Sequence, residues 1–246
     1  SQLTSVTLVF LQLTRTQDVY KVVLRHLKLD RELVSEVIDL GLPAAVQASL
    51  ISISNLFVQR YINGFGSSAM AGIGAAKKID KFVGLIAQSI GQSATTFVSQ
   101  NLGAMQYERA KKGSRFGLIC ALIMAELIGG FMILFAEPLM GIFIKNDPEA
   151  VLVGIQQTNV EALFFGCLAL SHCLAAVLRG AGKPMIPMFV MLGAWCVLRV
   201  AYISVMVPLI GERWVIFSAY PLAWTVSTII YLIFYFKTDW LHGFDK

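Results

Sequence analysis

Apolar residues run almost unbroken through six long stretches between about Leu42 and Phe236, and short polar or basic segments separate them. A bilayer's hydrocarbon core is about 30 Å thick, so a crossing helix needs roughly 20 mostly apolar residues. The stretches near 42–63, 70–101, 116–136, 150–178, 185–209 and 214–236 meet that length. They lack the apolar and polar dyads of barrel strands and are too long for them. Lipid also obliges the backbone to satisfy its own hydrogen bonds, which a helix does unaided. The pattern predicts an all-α membrane protein, a six-transmembrane-helix bundle.

Polar residues inside the stretches keep a helical period. Ser52, Asn55, Gln59 and Asn63 share one face of the first, and Lys77, Lys81, Gln88, Gln92, Thr95 and Ser99 form a stripe along the second. Such a stripe does not face lipid. It either hydrogen-bonds neighbouring helices, as small polar side chains do, or lines a water-filled cavity, which suits the lysines and glutamines better. The candidate cavity and substrate-binding residues are Gln47, Asn55, Gln59, Lys81, Gln88, Gln92 and Thr95.

The fourth stretch carries Glu161 and His172. On one continuous helix their eleven-residue spacing leaves them about 20° out of phase and about 16 Å apart along the axis. Leu168 falls on the same face, and Gln157 lies one turn before Glu161. Ionisable groups within a membrane segment by default suggest an ion or substrate pathway, so both are candidates for ion coupling. The alternative is a Glu in water at the interface and a hydrogen-bonded packing His. Glu126, alone in the third stretch, gives a weaker signal of the same kind.

Composition agrees with this pattern: 57% of residues are hydrophobic and 14% charged, with a mean hydropathy of +0.70. The net charge of +5 does not point to nucleic acid, because the basic residues are sorted by loop. Arg15, Lys21, Arg25, Lys28 and Arg31 precede the first stretch, Arg109, Lys111, Lys112 and Arg115 follow the second, Arg179 and Lys183 the fourth, and Lys237 the sixth. The positive-inside rule makes these loops and both chain ends cytoplasmic. Trp214, Phe217, Tyr220, Tyr235 and Trp240 are placed to act as interfacial anchors. Cys120, Cys167, Cys173 and Cys196 lie in apolar stretches without metal-ligand spacing, which reads as reduced packing residues. No metal or organic cofactor is expected.

Gly41-Leu42-Pro43, then Ala71-Gly72-Ile73-Gly74-Ala75-Ala76, then Thr95-Thr96-Phe97-Val98-Ser99-Gln100-Asn101-Leu102-Gly103-Ala104 with Glu108-Arg109-Ala110, resemble the second half of a MATE multidrug and toxic compound extrusion transporter. Leu178-Arg179-Gly180-Ala181-Gly182-Lys183-Pro184 resembles that family's loop between its tenth and eleventh helices. The resemblance covers essentially everything after Leu40. It implies one lobe of a two-lobe, twelve-helix transporter, with an N-terminal six-helix lobe as partner. It further implies alternating access, with H⁺ or Na⁺ exchanged for organic cations, drugs or other amphipathic compounds, in a bacterial inner membrane. Residues 1–13 then read as the tail of a preceding transmembrane helix, 14–40 as a cytoplasmic linker, 41–238 as the C-terminal lobe and 239–246 as a cytoplasmic tail.

The sequence departs from the family at one point. Its sodium-coupled members carry acids at positions that fall near Ile51 and Leu168, both apolar here. Two other readings stay open: a related flippase for lipid-linked glycans, which Lys77, Lys78 and Lys81 would suit, and a membrane interaction module without transport. An intramembrane enzyme finds no support, since HExxH, paired aspartates and a rhomboid-like serine motif are missing. The expected partners are the bilayer and a small amphipathic or cationic substrate.

Overall fold

A computed structural model describes residues 2–17, 21–23 and 30–242. Arg25 and Lys28 of the basic linker, and 243–246 of the tail, lie outside the described residues. The chain divides into two compact units, Ser1–Gly41 and Leu42–Lys246. The first contains α1 (Gln2–Arg15) and the beginning of α2 (Arg31–Asn63). Asp30 accepts the Glu32 backbone N–H at 2.9 Å, so an aspartate caps the start of α2.

The second unit continues α2 from Leu42 and adds α3 (Ser67–Gly103), α4 (Tyr107–Leu134), α5 (Ala136–Phe143), α6 (Pro148–Ala162) and α7 (Phe165–Gly180). α8 (Met185–Met191) then runs through a π-helical segment, Leu192–Leu198, into α9 (Arg199–Ile210), and α10 (Trp214–Lys237) closes the bundle. α2, α4, the α8–α9 helix and α10 are each long and apolar enough to cross a membrane, and the bent pair α6–α7 meets the same test when its two helices are taken together. α3, at 37 residues, is longer still. Its polar stripe separates it from the apolar five, and with it the bundle has six long elements.

Four expectations change. The first stretch, near 42–63, does not start its helix at Pro43. That proline sits inside α2, which begins at Arg31, and one missing N–H does not stop a helix whose other backbone bonds close within the segment. The fourth stretch is not one helix: α6 and α7 meet at 55°, where the Phe164 N–H bonds the Glu161 carbonyl at 2.9 Å in a tight turn. The third stretch ends at Leu134 and is followed by the short α5. Most of the expected anchors are also internal. Phe217, Tyr235 and Trp240 are buried, with Tyr235 stacked on Trp240 and sharing a 2.8 Å hydroxyl bond with Ser114. Trp214 is exposed.

Small residues let α3 lie against its neighbours. A Cβ on Gly72 would strike the Ala150 carbonyl of α6, and one on Gly180 would come 2.6 Å from the Thr95 carbonyl of α3. Membrane helices lack a hydrophobic drive toward each other and gain from close backbone packing. α3 therefore runs against both α6 and α7, carrying its stripe past the bend between them.

Candidate functional site

Two contiguous chambers open along that stripe. The first, about 780 Å³, is lined by Gln47, Gln88, Gln92, Thr95, Thr96, His172, Arg179, Met191 and Trp195 among others. The second, about 490 Å³, is lined by Asn55, Lys77, Asp80, Lys81, Gln88, Gln157, Glu161, Arg199 and Tyr220, with further apolar groups. Ile51, Gln88, His172 and Trp195 belong to both.

The second chamber holds a mutually engaged set of charges. Arg199, 2% exposed, donates from Nη2 to Ser54 Oγ and to Asn55 Oδ1, each at 2.8 Å. Its guanidinium carbon lies 5.1 Å from the Tyr220 ring centroid, and Lys77 Nζ lies 5.8 Å from the same ring. One aromatic face system thus receives two cations. Gln157 Nε2 donates to Glu161 Oε1 at 2.8 Å, and the Asp80 carboxyl lines the same chamber. Asp80 Oδ1, Gln157 Oε1 and Arg199 Nε remain buried without a partner among the described residues.

Local backbone chemistry positions these groups. The π-helical turn loosens the hydrogen-bond ladder just before Arg199, and the Trp195 carbonyl accepts Ser54 Oγ at 3.1 Å. Trp195 donates its indole N–H to Ser227 Oγ at 3.3 Å and meets the His172 ring edge-on at 5.6 Å. Ser227 in turn shares a 2.9 Å hydroxyl bond with Ser171 of α7.

The sequence candidates divide. Gln47, Gln88, Gln92, Thr95 and His172 line the first chamber, and Asn55, Lys81, Gln88, Glu161 and His172 the second. Thr95 also spends its hydroxyl on the Gly91 and Ala176 carbonyls, at 3.2 and 3.0 Å, so it joins helices as well as facing the cavity. Gln47 Nε2 contacts Met191 Sδ. Gln59 lies outside both chambers: its amide donates to Asn63 Oδ1 at 2.9 Å, one turn along α2, and the polar face is satisfied there within the helix. Glu161 and His172 stand on two helices instead of one face of a single helix, yet the bend aims both at the second chamber. Ile51 and Leu168 also line it. Glu126 is exposed on α4, its carboxyl filling the space over Gly166.

Asp80, Arg199, Tyr220, Trp195 and Arg179 were not singled out as site residues from sequence. Asp80 sits within the α3 stripe, and Arg199 is an ionisable residue in the middle of an apolar stretch, so the rule that selected Glu161 also applies to them.

The MatE family model matches residues 43–205. Among similar proteins, a probable multidrug resistance protein, YoeA, from Bacillus subtilis (strain 168) is 26% identical over 220 residues, which are 87% of this chain and 46% of that protein. A protein named FAD transporter from Shewanella oneidensis is 24% identical over 175 residues, 68% of this chain and 38% of its own length. The chain thus spans less than half of either relative. The fold matches a multidrug resistance MATE family transporter of the MOP superfamily solved in an outward-facing conformation, with a TM-score of 0.85 at 16% identity, over 94% of this chain and 52% of that one.

Proposed function

Since this chain belongs to the MatE family of membrane transporters, we propose that it forms one six-helix lobe of a cation-coupled efflux antiporter for amphipathic compounds. The observation that carries this reading is the pair of open chambers along α3, which set amide, hydroxyl and charged side chains into otherwise apolar walls. The lobe works with a second six-helix lobe by alternating access around that cavity.

Coupling requires that the ion bind the two states unequally. The Asp80 and Glu161 carboxyls suit this: with both ionised they offset two of the chamber's three cations, Lys77, Lys81 and Arg199, and one added proton raises the net positive charge of the cluster by one. His172, shared by both chambers, is the second candidate. The direct test is the full-length transporter in proteoliposomes under an imposed H⁺ or Na⁺ gradient. Gradient-driven movement of an amphipathic dye is expected, and no movement under either gradient would overturn the reading. Glu161→Gln is expected to lower the rate and flatten its pH dependence.

A second reading, movement of a lipid-linked glycan, draws on Lys77, Lys81 and Arg199 in the chamber wall. Dye transport without any effect on lipid-linked precursors decides against it. The loop charges support both chain ends being cytoplasmic. A membrane-impermeant thiol reagent should then reach a cysteine at Asn146 from outside the cell and one at the exposed Lys112 only after permeabilisation. Ser114 is a poor reporter of sidedness because it is fully buried.

A further inference from the structure

The first chamber contains a cation that has no acidic partner among the described residues. Arg179, in the last turn of α7, lines it and makes no hydrogen bond or ion pair among the described residues. No Asp or Glu is among the residues lining this chamber; both carboxyls line the second one. Across the two chambers, the four cations Lys77, Lys81, Arg179 and Arg199 face only two carboxyls, Asp80 and Glu161. A cation at a helix C-terminus suits the helix dipole, but that interaction leaves the five N–H donors of a half-buried guanidinium without a protein acceptor among the described residues.

We propose that the first chamber is an anion-binding subsite in which Arg179 seats the phosphate or carboxylate of an amphipathic substrate. The planar guanidinium fork matches either group in a bidentate manner. Gln92 and His172 supply further polar contacts, and Trp195 and Met191 take the apolar or aromatic body. The inference rests on the transport reading and narrows it: the lobe favours anion-bearing amphipaths over the organic cations that the family resemblance implied. A soluble anionic compound and an anionic lipid present the same chemistry to Arg179, and the experiment separates them.

The full-length transporter is reconstituted in neutral phosphatidylcholine vesicles and given three probes: carboxyfluorescein, rhodamine 123 and fluorescently labelled phosphatidylglycerol. Movement of at least one anionic probe is expected, and which one moves identifies the soluble or lipid source. Arg179→Gln and, independently, Gln92→Glu should each lower the ratio of anionic-probe to rhodamine 123 transport at least five-fold, through KM. Arg179→Lys, which keeps the charge but loses the fork, should lower it less. Gln92 is exposed on α3, so its variant tests the charge even if Arg179→Gln does not fold. Rhodamine 123 transport without either anionic probe, or an unchanged ratio in Gln92→Glu, overturns the inference and leaves the efflux reading standing. Failure of all three probes overturns the efflux reading itself.

Discussion

The two chambers share four wall residues and differ in how their charges are met. In the second, Arg199 is bonded to Ser54 and Asn55, two cations meet one tyrosine ring, and two carboxyls stand close together. In the first, Arg179 stands among amides, hydroxyls and an imidazole. Buried charges that answer one another hold helices in place, and their loss is paid in folding. A cation left unanswered in an open cavity costs little to remove from the fold and is available to a ligand. The difference separates structure from recognition within one continuous space.

The largest effect should come from breaking the engaged set. Arg199→Met removes the buried cation that Ser54 Oγ and Asn55 Oδ1 accept from and that shares the second chamber with Asp80 and Glu161. Removing one partner of a buried charged group typically costs about 3–5 kcal/mol. The full-length protein in detergent should lose thermal stability accordingly, whereas Arg179→Gln in the first chamber should lose far less. Equal losses would erase the distinction between the chambers.

A smaller effect is expected where the helices touch. In Gly180→Ala the new methyl group would meet the Thr95 carbonyl, a backbone atom 2.6 Å away. Overpacking of this kind costs about 1–3 kcal/mol, and α7 should move off α3 beside the first chamber. Gly193→Ala, where nothing lies within 4 Å of the added Cβ, should leave thermal stability nearly unchanged. Comparison of the two melting temperatures checks this.

The smallest effect lies outside the membrane. His242 Nδ1 and Asp239 Oδ2 are 2.7 Å apart on an exposed turn, and the hydrogen bond from His242 holds the Asp239 carboxyl below its ordinary range. The folded-state value is the lower one, so any stabilisation is present above the unfolded carboxylate's pKa and is lost as pH falls through the depressed one. With the group fully in water, Asp239→Asn should leave thermal stability at neutral pH unchanged within error.

Much of this was legible in the sequence because the bilayer imposes length. Helices near 70–101 and 214–236 correspond closely to α3 and α10, and the stripe from Lys81 to Thr95 lines the cavity. The bend at Leu163 was not legible, since no proline marks it and Glu161 and His172 look coaxial by periodicity alone. Gln59 shows the opposite failure: a helical polar face can close on itself, as its bond to Asn63 does. Arg199 and Asp80 carried a readable signal, an ionisable group at membrane depth. What sequence did not carry is pairing, because the bonds of Arg199 to Ser54 and Asn55 of α2 join residues far apart in the chain.

Thiol accessibility along α3 tests the central claim most directly, that its stripe faces water between lipid-facing and packed surfaces. Single cysteines at Gln88 and Gln92, in the chamber walls, and at Phe82 and Ile90, outside both chambers, are placed in the full-length transporter in native membranes. Each is exposed to a small aqueous thiol reagent. Rapid modification at Gln88 and Gln92 with slow modification at Phe82 and Ile90 is the expected result. Uniform protection, or uniform reactivity, at all four positions would contradict it.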